Sequence, residues 1–267
     1  MPEEAVIVDA VVPVTAGGIS ADLRGRVAVV TGASSGLGAR FTELLAASGA
    51  VVFAAARRRD RLDALAARVP GVIPVTCDVT NDEDRQRLLQ AALGETGRVD
   101  ILVNNAGYGR GARALDESVA EFQEILTVNL TATFALSALF APSMIDAGRG
   151  SIINIASILG LVAASPSSQA SYCAAKAGVV HLTRDLACQW AEAGVRVNAI
   201  APGWFPTEIT EEMFGDERNL RWIVRNTPMR RPGRPHELDG PLLLLASDAG
   251  SFITGQTLVV DGGWTSR

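Results

Sequence analysis

The sequence has few of the features that mark exported or disulfide-bonded proteins. Its 267 residues include three cysteines, Cys77, Cys173 and Cys188, and none of them stands in CxxC spacing. We therefore expect buried free thiols in a reducing cytosol rather than a disulfide framework. The opening residues, MPEEAVIVDAVVPV, carry two acids and no basic stretch before the apolar positions, unlike a secretory signal. Export is not expected, and the predicted location is cytoplasmic.

Long apolar runs, metal-ligand clusters and an excess of positive charge are also missing. Apolar stretches such as Val27–Val30 and Leu242–Ala246 are short and interrupted, so no segment is expected to reach the length of a membrane span. His181 and His236 have no companions at metal-ligand spacing, so both are interpreted as structural and no metal is predicted. A net charge of -5 gives no long-range attraction for nucleic acid or an anionic membrane, and neither is predicted as a partner.

The sequence does contain a regular alternation of short apolar runs with helix-compatible segments. Within the runs the apolar residues are nearly continuous, which is typical of parallel strands covered on both faces. The predicted strands are Val27–Thr31, Val51–Ala55, Val72–Thr76, Ile101–Asn105, Ser151–Ser157, Val195–Pro202 and Thr257–Gly263. This pattern predicts an α/β fold, a single-domain Rossmann-type doubly wound parallel sheet of about seven strands with helices on both faces.

No internal repeat, low-complexity tract or Pro/Gly linker divides this pattern. One catalytic domain is therefore predicted over residues 24–267, and residues 1–23 are predicted to be an N-terminal arm or a disordered tail. Helices are predicted, among others, over Asp82–Leu93, Glu117–Met144 and Tyr172–Ala193.

A glycine-rich turn follows the first predicted strand directly. The stretch TGASSGLG has GxxxGxG spacing, with Gly32, Gly36 and Gly38. Glycines at a strand-to-helix turn let the backbone approach a pyrophosphate closely, and the helix N-terminus offers it free N–H groups. The alternative is a tight turn without a ligand, but the position between first strand and first helix favours a dinucleotide.

The end of the second predicted strand favours NADP over NAD. Ala56 stands where an acid that binds the ribose 2′-hydroxyl of NAD would be expected, and Arg57 follows it. An arginine at this point accepts the 2′-phosphate of NADP. Two alternatives stay open: NAD(H) as cofactor, and Arg57, Arg58 and Arg59 as the solvated start of the next helix.

Six motifs in order give the chain a resemblance to the short-chain dehydrogenase/reductase family, from about Arg24 to the C-terminus. The likeness is to 3-oxoacyl reductase-like and related carbonyl reductase members. It implies an NAD(P)-dependent oxidoreductase that acts on CH–OH and C=O groups. The motifs are TGASSGLG, NNAG at Asn104–Gly107, Asn129 in TVNL, Ser157 at a strand end, YCAAK at Tyr172–Lys176, and APGWFPTE at Ala201–Glu208 together with the tail LASDAGSFITGQTLVVDGG.

The resemblance implies a catalytic tetrad of Asn129, Ser157, Tyr172 and Lys176. Ketone reduction needs a group that polarises the carbonyl and an acid that delivers a proton. Ser157 would hold the substrate oxygen and Tyr172 would be the acid. Lys176, one helical turn further on, would lower the pKa of Tyr172 and bind the nicotinamide ribose. Asn129 would anchor a water that connects Lys176 to solvent.

The loop that joins Ser157 to Tyr172 is a couple of residues longer than is common in the family. It introduces Ser165, Ser167 and Ser168 as rival hydroxyls. Ser157 is preferred because it comes directly at the strand end, and the longer loop is expected to alter the mouth of the pocket.

The same resemblance implies the cofactor contacts. For Asn105 the alternative is a structural role in tying neighbouring strands together. The implied contacts are Gly32, Ser34, Ser35, Gly36, Leu37 and Gly38 at the pyrophosphate turn, Arg57 at the 2′-phosphate, Asp78 and Val79 at the adenine, Asn105, Ala106 and Gly107 along the ribose, Tyr172 and Lys176, and Pro202, Gly203 and Thr207 near the nicotinamide.

The segment after the last of these motifs points to the substrate. Trp204, Phe205 and Met213 are interpreted as an apolar pocket wall or as core packing. A medium-sized apolar ketone or a 3-oxoacyl compound is the predicted substrate. The alternatives are an NAD(H)-dependent sugar-acid or polyol dehydrogenase of the same family, and a dinucleotide-sensing regulator without turnover. By resemblance the protein is a homotetramer, or a homodimer, with the long helices and the C-terminal strand in the interfaces.

Overall fold

The computed structural model describes residues 21–266, apart from the side chains of residues 209 and 212. Most of the predicted N-terminal arm lies outside the described residues. Leu23, assigned to that arm, is 1% exposed and packs in the core, and its N–H donates to the Ser48 carbonyl at 2.8 Å. The hydrophobic core therefore includes Leu23, one residue before the predicted boundary at residue 24, and the domain boundary itself stays a prediction.

All seven predicted strands are present, and they form one parallel sheet. Their order in the sheet is β3-β2-β1-β4-β5-β6-β7, so the direction of winding reverses between β1 and β4. The predicted Rossmann-type fold is confirmed. The strands are β1 (Val27–Thr31), β2 (Val51–Ala56), β3 (Val72–Thr76), β4 (Ile101–Asn104), β5 (Gly150–Ile155), β6 (Val195–Pro202) and β7 (Thr257–Val260).

Three strands end earlier than the sequence indicated: β4 ends one residue earlier, at Asn104, and β5 and β7 end two and three residues earlier. β5 stops at Ile155 because the Ser157 hydroxyl accepts a hydrogen bond from the Leu159 N–H and begins a 3₁₀ turn at Ile158–Gly160. β7 stops at Val260 because the Asp261 carboxylate accepts from backbone N–H groups that follow it and turns the chain.

Nine α-helices lie among the described residues. The predicted helix Glu117–Met144 is two of them, joined by the π-helical segment Thr127–Thr131. A capping box between Ser118 and Glu121 begins the first. The helices are α1 (Gly36–Ala47), α2 (Arg59–Arg68), α3 (Asp82–Thr96), α4 (Val119–Leu126), α5 (Ala132–Asp146), α6 (Ala170–Trp190), α7 (Glu211–Gly215), α8 (Glu217–Asn226) and α9 (Asp239–Ala246).

Helices cover both faces of the sheet. Alternate residues of β1 contribute to two different clusters of buried side chains, as the period-2 geometry of a strand requires. On one face Ala28 and Val30 pack with residues of α1, α2 and α9. On the other face Val27 and Val29 pack with residues of α3, α5 and α6. The nearly continuous apolar runs of the sequence are explained by this two-sided burial.

The expectation that no segment reaches the length of a membrane span is wrong by length and composition. The continuous helical stretch Val119–Asp146 has 28 residues, with a mean hydropathy of 1.6 over its most apolar window. One face of the stretch belongs to the core: Leu136, Phe140 and Met144 are fully buried against the sheet. Core helices of soluble proteins pass the same test, so the finding is weak evidence for a membrane span.

The expectation of buried cysteines holds for one residue only. All three thiols are free, but Cys173 is half-buried and Cys188 is exposed. Both lie on α6, a helix with one face in the core and the other outside, so a small apolar residue type does not decide the depth. Burial raises the pKa of Cys77 to about 12, which makes it an unreactive core residue.

Candidate active site

The candidate site lies at the carboxyl ends of the parallel strands. The glycine turn follows β1, NNAG runs from the end of β4, Ser157 follows β5, and APGWFPTE begins within β6. In doubly wound sheets the crevice outside these strand ends, where the winding reverses, is where ligands bind. The fold therefore gathers the motifs that the sequence separates by more than a hundred residues.

Tyr172 and Lys176 lie one turn apart on α6, as predicted. The Lys176 ammonium is 5.5 Å from the centroid of the Tyr172 ring, and the side chain is 4% exposed. Its Nζ donates to the Ile155 carbonyl at 2.8 Å, so the last residue of β5 fixes the lysine. Gly160 lets the turn after β5 lie against α6, because a Cβ there would come within 2.6 Å of the Lys176 carbonyl carbon.

Ser157 reaches the tyrosine, and its rivals are on the surface. The Ser157 side chain is 8% exposed, and it lies close enough to the Tyr172 hydroxyl to lower the pKa of that group. Ser165, Ser167 and Ser168 are all exposed. Burial and the contact with Tyr172 therefore favour Ser157 as the hydroxyl of the site.

Asn129 is the most deeply buried member of the tetrad, at 1% exposed. Its Nδ2 donates to the carbonyls of Tyr108 and Ile125 at 2.9 and 3.0 Å. Its Oδ1 is buried and has no hydrogen-bond partner among residues 21–266. A Cβ on Gly107 would lie 2.5 Å from this oxygen and 3.5 Å from Lys176 Nζ, so the amide and the ammonium border one small gap. An acceptor in such a gap suits a bound water.

Among the groups of the protein itself, burial has the largest effect on the pKa of Tyr172, whose side chain is partly buried. Burial raises the pKa of Tyr172 to about 12, and the contact with Ser157 acts in the opposite direction. The predicted lowering of this pKa by Lys176, together with the positive charge of an oxidised nicotinamide, stays a prediction. The ammonium lies beside the ring and donates to Ile155, and burial lowers its own pKa to about 8.

The glycine turn has the shape that the sequence predicts. Gly32 has φ 67°, and a Cβ there would lie 2.9 Å from the Ala106 Cα, so the turn packs tightly on the NNAG segment. Gly38 has no space for a Cβ beside the Gly32 carbonyl. The glycines thus hold the N-terminus of α1 against β4, where its free N–H groups are available to an anion.

The structural alternative for Asn105 describes its contacts in this structure. Its backbone N–H donates to Thr31 Oγ1 at 3.0 Å, and its Nδ2 donates to the Thr31 carbonyl at 2.9 Å. Asn105 therefore ties the end of β4 to the end of β1. Its predicted role along the ribose, with Ala106 and Gly107, stays a prediction.

After β2, it is Arg58 that contacts the glycine turn, and the sequence did not single out this residue. Arg58 donates from Nη2 to the hydroxyls of Ser34 and Ser35 at 3.0 and 2.7 Å. Its guanidinium also pairs with Glu208 at 2.9 Å, and Arg61 contacts the same carboxylate. Arg57 is exposed, and it lies close enough to Asp78 to help lower the pKa of that carboxyl. The run of three arginines was the signal, but it does not tell which side chain turns inward.

The remaining predicted cofactor residues border the same crevice. Hydrogen bonds from Thr80 lower the pKa of Asp78, and Val79 is buried beside it. Thr207 approaches the glycine turn, because a Cβ at Gly36 would lie 3.6 Å from the Thr207 Cβ. Leu37 packs against the core, and Pro202 and Gly203 lie at the end of β6, where the Gly203 N–H donates to Val260.

The predicted apolar wall divides between core and rim. Phe205 is 4% exposed and packs in the main core, so core packing is its role. Trp204 contacts Trp222 of α8 and Trp264, with ring centroids 6.1 and 5.7 Å away. A cavity of about 90 Å³ beside Trp204 is lined by none of the tetrad residues.

Sequence reasoning also missed Gly109, where a Cβ would lie 3.4 Å from the Tyr172 ring.

The histidines and carboxylates form no cluster that suggests a metal. Across the described part of the chain, no group of three or more His, Cys, Asp and Glu side chains has metal-site geometry. Both histidines are exposed, at the surface of α6 and of the turn at Pro235–Leu238.

Comparison with known proteins matches nearly the whole chain. A family model described as "Enoyl-(Acyl carrier protein) reductase" matches residues 32–265. The 3-oxoacyl-[acyl-carrier-protein] reductase of Thermotoga maritima is 36% identical over 245 residues, which cover 90% of this chain and 98% of that protein.

Solved structures match the fold equally well. A short-chain type dehydrogenase/reductase from Mycobacterium marinum has a TM-score of 0.89 and 38% identity, over 93% of this chain and 98% of that one. A gluconate 5-dehydrogenase from Burkholderia cenocepacia, in complex with NADP and tartrate, has a TM-score of 0.88 and 34% identity over the same shares of the two chains.

Proposed function

The chain belongs to the short-chain dehydrogenase/reductase family of oxidoreductases, which act on CH–OH and C=O groups, and from this we propose that it interconverts a ketone and a secondary alcohol with NADP(H). The observation that carries the proposal is the meeting of Asn129, Ser157, Tyr172 and Lys176 beside the glycine turn. The bound dinucleotide supplies or accepts the hydride.

The side chains then divide the remaining work. Ser157 holds the substrate oxygen, and it lies close enough to Tyr172 to lower the pKa of the phenol. Tyr172 delivers the proton to that oxygen in reduction and removes it in oxidation. Lys176 binds the nicotinamide ribose, and its lowered pKa, about 8, lets it pass a proton to the water held by Asn129. The four side chains thus form a proton relay between the substrate oxygen and solvent.

The choice of NADP(H) rests on charge at the end of β2. Ala56 is 7% exposed and offers no carboxylate to a ribose 2′-hydroxyl. Arg58, Arg61, Ser34 and Ser35 form a set of donors that suits a phosphate. We infer that Arg58 binds the 2′-phosphate together with the predicted Arg57. NADP in the Burkholderia structure supports this inference by analogy.

An apolar ketone or a 3-oxoacyl compound is the proposed substrate. Leu161 and Val162, on the loop that joins Ser157 to Tyr172, are 40% and 36% exposed. Exposed apolar side chains on the loop that follows Ser157 favour an apolar substrate. The Thermotoga relative, a 3-oxoacyl reductase, supports this class.

A sugar acid is the second candidate. The observation in its favour is the similarity to a gluconate 5-dehydrogenase that holds tartrate. Either substrate class uses the same four side chains, so the tetrad does not discriminate between them.

Three further points belong to the same proposal. Residues 24–267 form one catalytic domain, together with Leu23, which packs in its core. The protein is a homotetramer that buries the exposed apolar residues Phe134 and Ile145 of α5. It works in the cytoplasm, where its three thiols stay reduced.

The test is turnover by the purified protein. Wild type is mixed with NADPH or NADH and a panel of apolar ketones, 3-oxoacyl thioesters and keto-sugar acids, and the loss of reduced-nicotinamide absorbance is followed. Turnover of one class with NADPH, lost in Tyr172→Phe, supports the proposal. Binding of NADPH without turnover of any class would instead support a dinucleotide-sensing regulator.

A further inference from the structure

One carboxylate, that of Glu208, uses the donors that the proposed function assigns to a phosphate. Its Oε2 accepts from Ser35 Oγ at 2.7 Å and from Arg58 Nη2 at 2.9 Å. Its Oε1 accepts from Arg58 Nη1 at 3.2 Å and from Arg61 Nη1 at 2.5 Å. Taken together, the two carboxylate oxygens accept hydrogen bonds from two guanidiniums and one hydroxyl. Proteins bind phosphates and carboxylates with such groups.

Glu208 comes from a distant part of the chain. It begins the 3₁₀ turn Glu208–Thr210, directly after Thr207, and lies 173 residues from Ser35 in sequence. The segment that carries it therefore bridges the end of β6 and the glycine turn. No local geometry of α1 or α2 would place a carboxylate there.

The hydrogen bond from Ser35 to Glu208 stands in place of a capping hydrogen bond at the N-terminus of α1. Ser35 is the N-cap residue of α1, but its side chain makes no capping hydrogen bond. A serine at this position ordinarily accepts from a backbone N–H of the first turn. Here its hydroxyl donates to Glu208 instead and leaves the first-turn N–H groups available to another anion.

The carboxylate is charged at every working pH. The hydrogen bond from Arg58 is the largest of several that lower the pKa of Glu208 to about 2. The side chains of Arg58 and Glu208 are 41% and 47% exposed, so solvent screens the pair. Such a contact is strong enough to compete with an incoming anion and weak enough to be displaced.

We propose that Glu208 is a specificity-determining residue, whose carboxylate competes with the 2′-phosphate of NADP(H) for Arg58, Arg61 and Ser35. The proposal rests on the proposed function, because it assumes that these donors bind that phosphate. NAD(H) has no 2′-phosphate and leaves the carboxylate on its arginines. Glu208 therefore lowers the affinity for NADP(H) and leaves the affinity for NAD(H) almost unchanged. The preference for NADP(H) over NAD(H) becomes smaller as a result.

The test separates the phosphate from the rest of the cofactor. Adenosine 2′,5′-bisphosphate and adenosine 5′-monophosphate are titrated into the protein by calorimetry, and NADPH and NADH are titrated in parallel. The proteins compared are wild type, Glu208→Gln, Arg58→Ala, the double variant with both of these changes, and the control Glu217→Gln. Glu217 lies on α8 and its carboxylate pairs with Arg221 at 2.9 Å, so Glu217→Gln removes one negative charge and keeps the contacts of Glu208.

The expected result is a selective gain in affinity. Glu208→Gln binds adenosine 2′,5′-bisphosphate and NADPH about fivefold more tightly than wild type, the limit for an exposed ion pair. Its affinity for the monophosphate and NADH stays within about twofold, and Glu217→Gln behaves as wild type. The gain becomes smaller when Arg58→Ala is added, because the two residues share donors.

Two different failures are distinguishable. If Arg58→Ala weakens the bisphosphate but Glu208→Gln leaves it unchanged or weakens it, the competition is wrong and the choice of NADP(H) stands. If Arg58→Ala changes neither nucleotide and the bisphosphate binds no better than the monophosphate, the phosphate site itself is wrong, and the competition is overturned with it. An equal gain in Glu217→Gln would show only a general effect of charge and also overturns the proposal.

Discussion

Lys176, within the tetrad, and Glu208, beside the glycine turn, border the same crevice, but different effects control their charges. Lys176 is 4% exposed, and burial alone lowers its pKa to about 8. Glu208 has a half-exposed side chain, and hydrogen bonds from Arg58, Ser35 and Arg61 lower its pKa to about 2. Loss of water controls the first group, and direct partners control the second.

This difference suggests a division of labour. At the tetrad, burial brings the acidity of the lysine close to neutral pH, which suits proton transfer. At the turn, exposed ion pairs keep their charges fixed and exchange partners at small cost, which suits recognition of an anion. Substitutions at the tetrad should therefore change the rate, and substitutions at the turn should change the affinity for the cofactor.

Tyr172→Phe should lower the rate of the reaction and leave the affinity for the cofactor unchanged. We expect the largest effect from this variant. The change removes the acid and keeps the ring that packs beside Gly109. We expect kcat to fall about 10²–10⁴-fold, the usual contribution of a general acid. The affinity for NADPH, measured by fluorescence titration, should stay within about twofold. A similar loss of rate and of affinity would show that the two sides are not separable.

Ser157→Ala should lower the rate less, because the alanine removes one donor to the substrate oxygen. The expected loss of kcat is about 10²-fold. Ser167→Ala is the matched control, since Ser167 lies exposed on the adjoining loop. A larger loss of rate in Ser167→Ala than in Ser157→Ala would move the site to the loop.

Arg58→Ala should change the cofactor side alone. Loss of a charge-assisted bond to the 2′-phosphate should raise the Kd for NADPH about tenfold and leave kcat at saturating NADPH almost unchanged. Arg59→Ala is the control, because Arg59 is the next residue in the run and its guanidinium pairs with Asp63 on α2. Equal effects of the two variants on NADPH affinity would mean that the arginine run acts only through its net charge.

Lys176→Met should stabilise the fold, with the smallest effect. The pKa of Lys176 in the folded protein is below its usual 10.5, so its buried charge lowers the free energy of unfolding by the full amount below pH 8. This destabilisation disappears as the pH rises towards 10.5. We expect a Tm gain of about 2–4 °C at pH 7, measured by calorimetry, although the variant is inactive. The gain should shrink between pH 8 and 10.5, and a gain that grows there would contradict the cause.

Much of this arrangement is readable from the sequence, and its limits have physical causes. Continuous apolar runs predict the parallel sheet because two-sided burial requires them. Tyr172 and Lys176 predict a shared helix face from spacing alone. The inward turn of Arg58 depends on Glu208, far away in the chain, and equal residue types in a run do not reveal it. The depth of Lys176, which sets its pKa, likewise depends on how the turn after β5 packs against α6.

The pKa of Tyr172 is the most direct test of the effect of burial on the reacting group. The chain contains two tyrosines, so Tyr108→Phe leaves Tyr172 as the single phenol that titrates by absorbance. With burial raising its pKa to about 12, the account predicts no phenolate up to about pH 10.5 while circular dichroism shows the fold intact. Addition of NADP⁺ should bring ionisation into this range. A phenolate that forms near pH 10 without the dinucleotide would contradict the effect of burial, and one that forms well below pH 10 would mean that Lys176 controls the reacting group.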